Sequence, residues 1–193
     1  MMTEIQTKLA RYRLVASEST FIVKAFAEGL FSAFGHDPVI SIKDFSGDAE
    51  FVPGTLEAAS LKIEIDAKSL IVINDVKEKD RHEIERTIRA QVLESDEYPK
   101  IVFASRSVSA SRLREARYRA RIIGDLTLHG VTQRNLWISA EISLSDDNSL
   151  RAQGEFSIRQ TDFGIKLVSV AGGMLKVKNE LKFSFDIVAR IAE

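Results

Sequence analysis

The chain has 193 residues and a formal net charge of -1, with 27 basic and 28 acidic side chains. This balance gives no long-range attraction toward phosphate backbones, so we expect no nucleic-acid partner. Cysteine is absent, which excludes disulfides, thiol catalysis and cysteine-ligated zinc.

The length suits a single domain covering residues 1–193. No stretch of the sequence has the apolar length of a membrane span, and the start lacks the apolar run of a secretory signal. With Met1 taken as the native start, we expect a cytoplasmic protein without a transmembrane segment.

Alternation of apolar and polar residues predicts eight strands, each with one polar face, which favours an antiparallel sheet. In chain order they lie at about residues 19–28, 38–52, 59–68, 100–110, 115–129, 134–145, 149–160 and 175–191. The most informative is the segment from Arg117 to Thr132, in which arginines alternate with Tyr118, Ala120 and Ile122.

The segment from residue 75 to residue 95 breaks this alternation. It is densely charged and places Val76, Ile84, Ile88 and Val92 at helical spacing. We therefore predict an amphipathic helix in a crossover, which lies across one opening or side of the sheet and is capped by Asn74 or Asp75.

The predicted fold class is mainly β. Eight antiparallel strands with one apolar face hide that face and lose their exposed edges when they close into a barrel. A single eight-stranded barrel is the architecture that we expect, and a two-sheet sandwich also fits the alternation.

Small residues are frequent on the predicted inward face. They are Ala25, Ala27, Ala120, Gly124, Ala140, Ala152 and Gly154. Two interpretations stay open: these positions leave volume for a slender apolar ligand, or they make room for phenylalanines in a dry packed core.

The loop Gly29–Asp37 between the first two strands is apolar and lies at a barrel end. Its Leu30–Phe34 segment either plugs the core, gates an entrance, or docks a partner protein or a second copy of the chain. A homodimer formed through this loop is thus one alternative.

The three histidines, His36, His82 and His129, come from separate segments without a zinc-binding spacing, so we predict no metal site and no cofactor. No serine elbow, phosphate loop or dinucleotide fingerprint is present. An enzyme that uses His36 or His129 at the barrel mouth as acid or base remains an alternative.

Several motifs together resemble the YceI-like family. They are Tyr12-x-Leu14, Phe45-x-Gly47, Asp80, the Tyr98–Ser105 run, Gly124–Thr132 and Thr161–Ile165, in an order that covers about residues 11–191. The resemblance implies a lipocalin-like barrel after a tail of residues 1–10, with a polyisoprenoid or similar amphiphile inside and no established catalytic residues. Family members are often periplasmic or secreted.

The chain departs from the family pattern at three polar positions. Val15 and Glu18 stand where the family has aspartate and histidine, and the arginine before Asp-Phe-Gly is offset, with Arg159 followed by Gln160. If these positions contact a lipid headgroup in relatives, this chain favours a different ligand.

These observations predict a non-catalytic protein that binds, transports or stores a long apolar amphiphile of the polyisoprenoid or isoprenoid quinone type. The candidate ligand-binding residues are Phe21, Val23, Ala25, Phe31, Phe34, Ile63, Ile65, Phe103, Ala120, Ile122, Gly124, Leu126, Ile138, Phe156, Phe163, Phe183 and Phe185.

Overall fold

The structure is a computed structural model and describes residues 8–28, 37–53, 56–170 and 175–192. Within these residues the strands are β1 Ala10–Leu14, β2 Thr20–Lys24, β3 Ala27–Glu28, β4 Val39–Ile42, β5 Phe45–Val52, β6 Glu57–Asp66, β7 Leu70–Val72, β8 Lys100–Arg114, β9 Arg117–Leu128, β10 Val131–Leu144, β11 Ser149–Arg159, β12 Ser169–Val170, β13 Leu175–Val177 and β14 Glu180–Ile191. One α-helix, α1, spans Glu78–Thr87 within the described part of the chain.

Eight of these strands form a closed antiparallel barrel in the order β1, β5, β6, β8, β9, β10, β11 and β14. The barrel closes where β14 pairs with β1, with Leu14 opposite Ala189. Closure leaves the apolar face of the sheet inside, as the alternation in the sequence requires. The predicted barrel is confirmed, and the sandwich alternative is wrong.

Strand β1 lies outside the eight segments that alternation predicted. Its five residues pair with both β5 and β14, and the chain then bends before β2 continues along β14. At the bend the Ser19 hydroxyl donates to the Val15 carbonyl at 2.6 Å and accepts from the Val188 amide at 2.9 Å. Ser19 thus bridges a gap in the ladder between two short strands.

The predicted helix is present with shorter bounds. Helix α1 continues as a π-helical turn over Ile88–Val92, in which the Leu93 amide donates to the Ile88 carbonyl at 2.8 Å. The predicted cap at Asn74 or Asp75 is wrong, because the N-cap residue is Lys77 and makes no side-chain capping bond. Asn74 instead joins the segment before α1 to β4, where its Oδ1 accepts from the Val39 amide.

Helix α1 is fixed to the barrel by Glu85. One carboxylate oxygen of Glu85 accepts from the Val72 amide at the end of β7 at 2.9 Å, and the other lies 3.6 Å from Arg89. Ile88 and Leu93 bury their side chains in the core below. Among the described residues, no helix is long and apolar enough to cross a membrane.

Candidate functional site

The barrel encloses a cavity of about 660 Å³. This volume lies within the range of about 300–1,000 Å³ that is typical of sites for small ligands. All eight barrel strands contribute to the lining, which is aliphatic and aromatic except at a few positions. The polar positions are Ser60, Asp80, Glu83, Thr87, Gln160 and Lys176.

Twelve of the seventeen predicted ligand-binding residues line this cavity. They are Phe21, Val23, Ala25, Ile63, Ile65, Phe103, Ile122, Leu126, Ile138, Phe156, Phe183 and Phe185. Ala120, Gly124 and Phe163 do not belong to the lining. Phe31 and Phe34, with the rest of the predicted Leu30–Phe34 loop, lie outside the described residues.

The glycines of the inward face do not themselves create the cavity. A Cβ atom at Gly124 would lie 2.5 Å from Cζ of Phe103, and one at Gly154 would lie 2.6 Å from Cζ of Phe185. Each phenylalanine ring therefore lies against the backbone of a neighbouring strand, where only glycine leaves room for it. At these two positions the packed interpretation is correct, and the empty volume lies beyond the rings.

One end of the cavity is sealed by aromatic and aliphatic side chains. Tyr12 stacks on Phe51 with ring centroids 4.9 Å apart, and Leu56 is buried beside the same end of β5. Burial raises the pKa of the Tyr12 hydroxyl. Because these side chains are almost wholly enclosed, the residues that the structure describes at this end leave no path for a ligand.

The cavity reaches solvent at the opposite end, beside α1. Asp80 and Glu83 line the cavity and are also exposed to solvent, as is Lys176 on β13. Within the described part of the chain Asp80 and Lys176 form no ion pair, and Glu83 lies 3.9 Å from Arg86. We call this end the mouth; it combines two carboxylates with one ammonium group.

Gln160 is the one polar side chain in the lining that is almost fully buried, with 3% of its surface exposed. Its Nε2 donates to the Lys178 carbonyl at 2.8 Å, and its backbone amide donates to the Asn179 carbonyl at 2.9 Å. Both bonds fix the short 3-10 turn Gln160–Phe163 to the start of β14. Its Oε1 accepts no hydrogen bond from the described residues.

The two histidines that the structure describes, His82 and His129, have separate partners. Nε2 of His129 lies 2.5 Å from Oε2 of Glu94, and its Nδ1 lies 3.2 Å from the Phe163 carbonyl oxygen. The centroid of its ring is 4.7 Å from that of Tyr98. His129 joins the end of the helical segment to the turn after β11 and is not part of the cavity lining.

His82 is exposed on α1 and lies 3.5 Å from Glu78, whereas His36 lies outside the described residues. In the ranges that the structure describes, no group of three or more His, Asp or Glu side chains is placed to hold a metal ion.

Sequence reasoning missed the polar positions of the lining. Asp80 was identified only as part of a family motif, and Gln160 only as a departure from one. Glu83 and Lys176 carry no sequence signal, because an exposed charge on a helix or strand is ordinary. Only the closure of the barrel and the position of α1 bring these residues to one cavity.

Comparison with known proteins identifies the family. The chain matches the model of the YceI-like domain over residues 12–189. No curated protein sequence shows a significant match.

Solved structures show the same fold. A polyisoprenoid-binding domain from Saccharophagus degradans has 14% identity and a TM-score of 0.67, with 96% of this chain and 100% of that chain covered. BcnA from Burkholderia cenocepacia has 14% identity and a TM-score of 0.64, with 91% and 98% covered. The YceI protein from Campylobacter jejuni has 15% identity and a TM-score of 0.57, with 80% and 84% covered. With a family match over nearly its whole length and a closed, hollow barrel, this chain belongs to the YceI-like domain family.

Proposed function

We propose that this protein binds a long apolar amphiphile inside its barrel and acts as a non-catalytic carrier or store. The observation that carries this proposal is the continuous apolar cavity, sealed at the Tyr12–Phe51 end and open beside α1. Membership of the YceI-like family and the structural similarity to a polyisoprenoid-binding domain support a polyisoprenoid or an isoprenoid quinone as the ligand.

The volume sets the scale of the ligand. We take the volume of one chain carbon to be about 30 Å³, which is also the volume that one molecule occupies in liquid water. The cavity of about 660 Å³ then holds at least about 20 carbons. Each buried methylene contributes about 0.8 kcal/mol, or about a fourfold gain in affinity. Such a chain binds tightly even after the entropy of ordering it is subtracted.

The ligand-binding surface in this proposal consists of the twelve predicted residues that line the cavity, together with lining residues from α1 such as Ile84. Long-chain specificity then comes from the match of chain length to cavity depth. Apolar desolvation is sufficient for this binding, and the proposal requires no group that forms or breaks covalent bonds.

Two measurements test the proposal. Protein purified without detergent is extracted into organic solvent, and the extract is analysed by mass spectrometry for an apolar chain in a near 1:1 ratio. Delipidated protein is then titrated with prenols of 10, 15 and 20 carbons. We expect affinity to rise by more than tenfold per isoprene unit until the cavity is full. Equal, weak binding of all three prenols would contradict the proposal.

A further inference from the structure

The polar groups that line the cavity point to the chemistry of the ligand's headgroup. This inference rests on the proposed function, since it concerns the polar end of an amphiphile whose tail fills the barrel. We propose that Gln160 is a specificity-determining residue that accepts a hydrogen bond from an uncharged donor headgroup, such as an alcohol or an amide, and that the mouth disfavours anionic headgroups.

Gln160 has an unused hydrogen-bond acceptor. Only 3% of the surface of Gln160 is exposed. Its amide nitrogen donates a hydrogen bond to the Lys178 carbonyl at 2.8 Å. This bond fixes which end of the amide is oxygen, because only the nitrogen can donate to a carbonyl.

Oε1 is therefore the free end of the amide, and none of the described residues donates a hydrogen bond to it. Gln160 contributes to the cavity lining, so we infer that Oε1 is accessible to a ligand in the cavity. A buried carbonyl oxygen without a donor is costly, so a ligand that supplies a donor gains affinity there.

The charge at the mouth is unfavourable to anionic headgroups. Asp80 and Glu83 line the cavity on the α1 side, and Lys176 is the one cation of the described lining. Carboxylates accept hydrogen bonds and repel anions. A diphosphate or fatty-acid headgroup therefore meets the carboxylates of Asp80 and Glu83, and Lys176 is the cation of the lining; Arg86, outside the lining, lies 3.9 Å from Glu83. An uncharged donor meets no such repulsion and can be accepted by Gln160.

The test compares three ligands that share one 20-carbon tail. Geranylgeraniol, its methyl ether and its diphosphate each displace a neutral fluorescent probe, N-phenyl-1-naphthylamine, from the delipidated full chain. We expect the alcohol to bind about 2- to 10-fold more tightly than the ether, the gain from one neutral hydrogen bond. The diphosphate should bind most weakly, with a deficit that shrinks at high salt.

Matched variants assign the effect to residues. Gln160→Met should remove the preference for alcohol over ether, whereas Gln153→Met on the outer face of β11 should leave it intact. Replacing Asp80 and Glu83 by Asn and Gln should improve diphosphate binding, whereas Glu78→Gln, outside the lining, should not. The comparison of ligands on the unmodified protein remains decisive even if Gln160→Met does not fold.

The outcomes separate the two proposals. If none of the three ligands displaces the probe, the proposed function fails. If all three displace it but alcohol and ether bind equally, or the diphosphate binds best, the carrier function stands and the inference about the headgroup is overturned.

Discussion

Ala152→Phe distinguishes a ligand cavity from a core that is merely loosely packed. Ala152 lies on β11 opposite Ile142 and Ile187, and its side chain lines the cavity. A phenylalanine at this position directs its ring into the empty space. In a filled core the same substitution forces neighbouring side chains from their rotamers and costs about 1–3 kcal/mol.

The magnitude follows from the cavity volume. A phenyl ring occupies about 150 Å³, the volume of a cavity that binds benzene. About 510 Å³ of the cavity of about 660 Å³ therefore remains. At about 30 Å³ per carbon the capacity falls by about five carbons. The capacity that remains is about 17 carbons, so about three carbons of a 20-carbon prenol stay unburied. Binding of this prenol weakens by about 2.4 kcal/mol, or about sixtyfold. The ligand-free variant gains about 1.5–3 kcal/mol from burial of the ring.

The assay combines urea unfolding of the delipidated protein with prenol titration. We expect the variant to unfold at higher urea concentration than the parent protein and to bind the 20-carbon prenol far more weakly. Ala104→Phe is the matched control, because Ala104 is exposed on the outer face of β8 and should change neither quantity by more than about 0.5 kcal/mol. Loss of stability with unchanged binding in Ala152→Phe would refute the reasoning.

Three further changes probe the supports of the site. Glu85→Ala removes the acceptor of the Val72 amide, and we expect faster hydrogen exchange at Val72 and a loss of about 1.5–3 kcal/mol, whereas unchanged exchange would exclude this tether. His129→Asn breaks both ring contacts of His129, but asparagine tolerates the backbone φ of +52° at this position. His129→Ala breaks the same contacts and also tolerates this φ poorly, so we expect it to be about 1 kcal/mol less stable than His129→Asn in thermal unfolding. The hydrogen bond from Arg151 lowers the pKa of Asp186. Arg151 therefore contributes its full stabilisation of the folded state above about pH 5, and this stabilisation is lost as the pH falls through the lowered pKa. Urea curves of Arg151→Met and the parent protein should therefore converge at low pH, and a gap that persists there would contradict this assignment.

The sequence predicts the barrel well because its signal is local. In β9, for example, every second residue from Tyr118 to Leu128 is buried, and the residues between them, which begin with three arginines, are exposed or half-buried, as the period of two requires. Strand β1 was not found because five residues give too little alternation. The bend at Ser19 also divides what would otherwise be one longer strand.

The cavity could be predicted only as one of two alternatives. Whether Gly124 leaves a void depends on the rotamer of Phe103, a residue on another strand, and sequence periodicity contains no information about that ring. The same limit applies to His129, whose partner Glu94 is 35 residues away. Such contacts depend on the register between strands and on the path of the helical crossover.

The two ends of the cavity impose a direction on any amphiphile that it holds. The Tyr12–Phe51 end is dry, so a polar headgroup placed there would lose its hydrogen bonds to water without replacement. At the mouth, Asp80 and Glu83 are exposed, and water can hydrate a headgroup beside them. The tail must therefore enter first. Strand ladders hold the barrel wall around the mouth. Helix α1 is held there by the Glu85 contact with the Val72 amide, by the bond from Arg81 to the Asn74 carbonyl and by the packing of Ile84 on the core. Since these are fewer bonds than a strand ladder provides, we expect the structural cost of widening the mouth to be lowest on the α1 side.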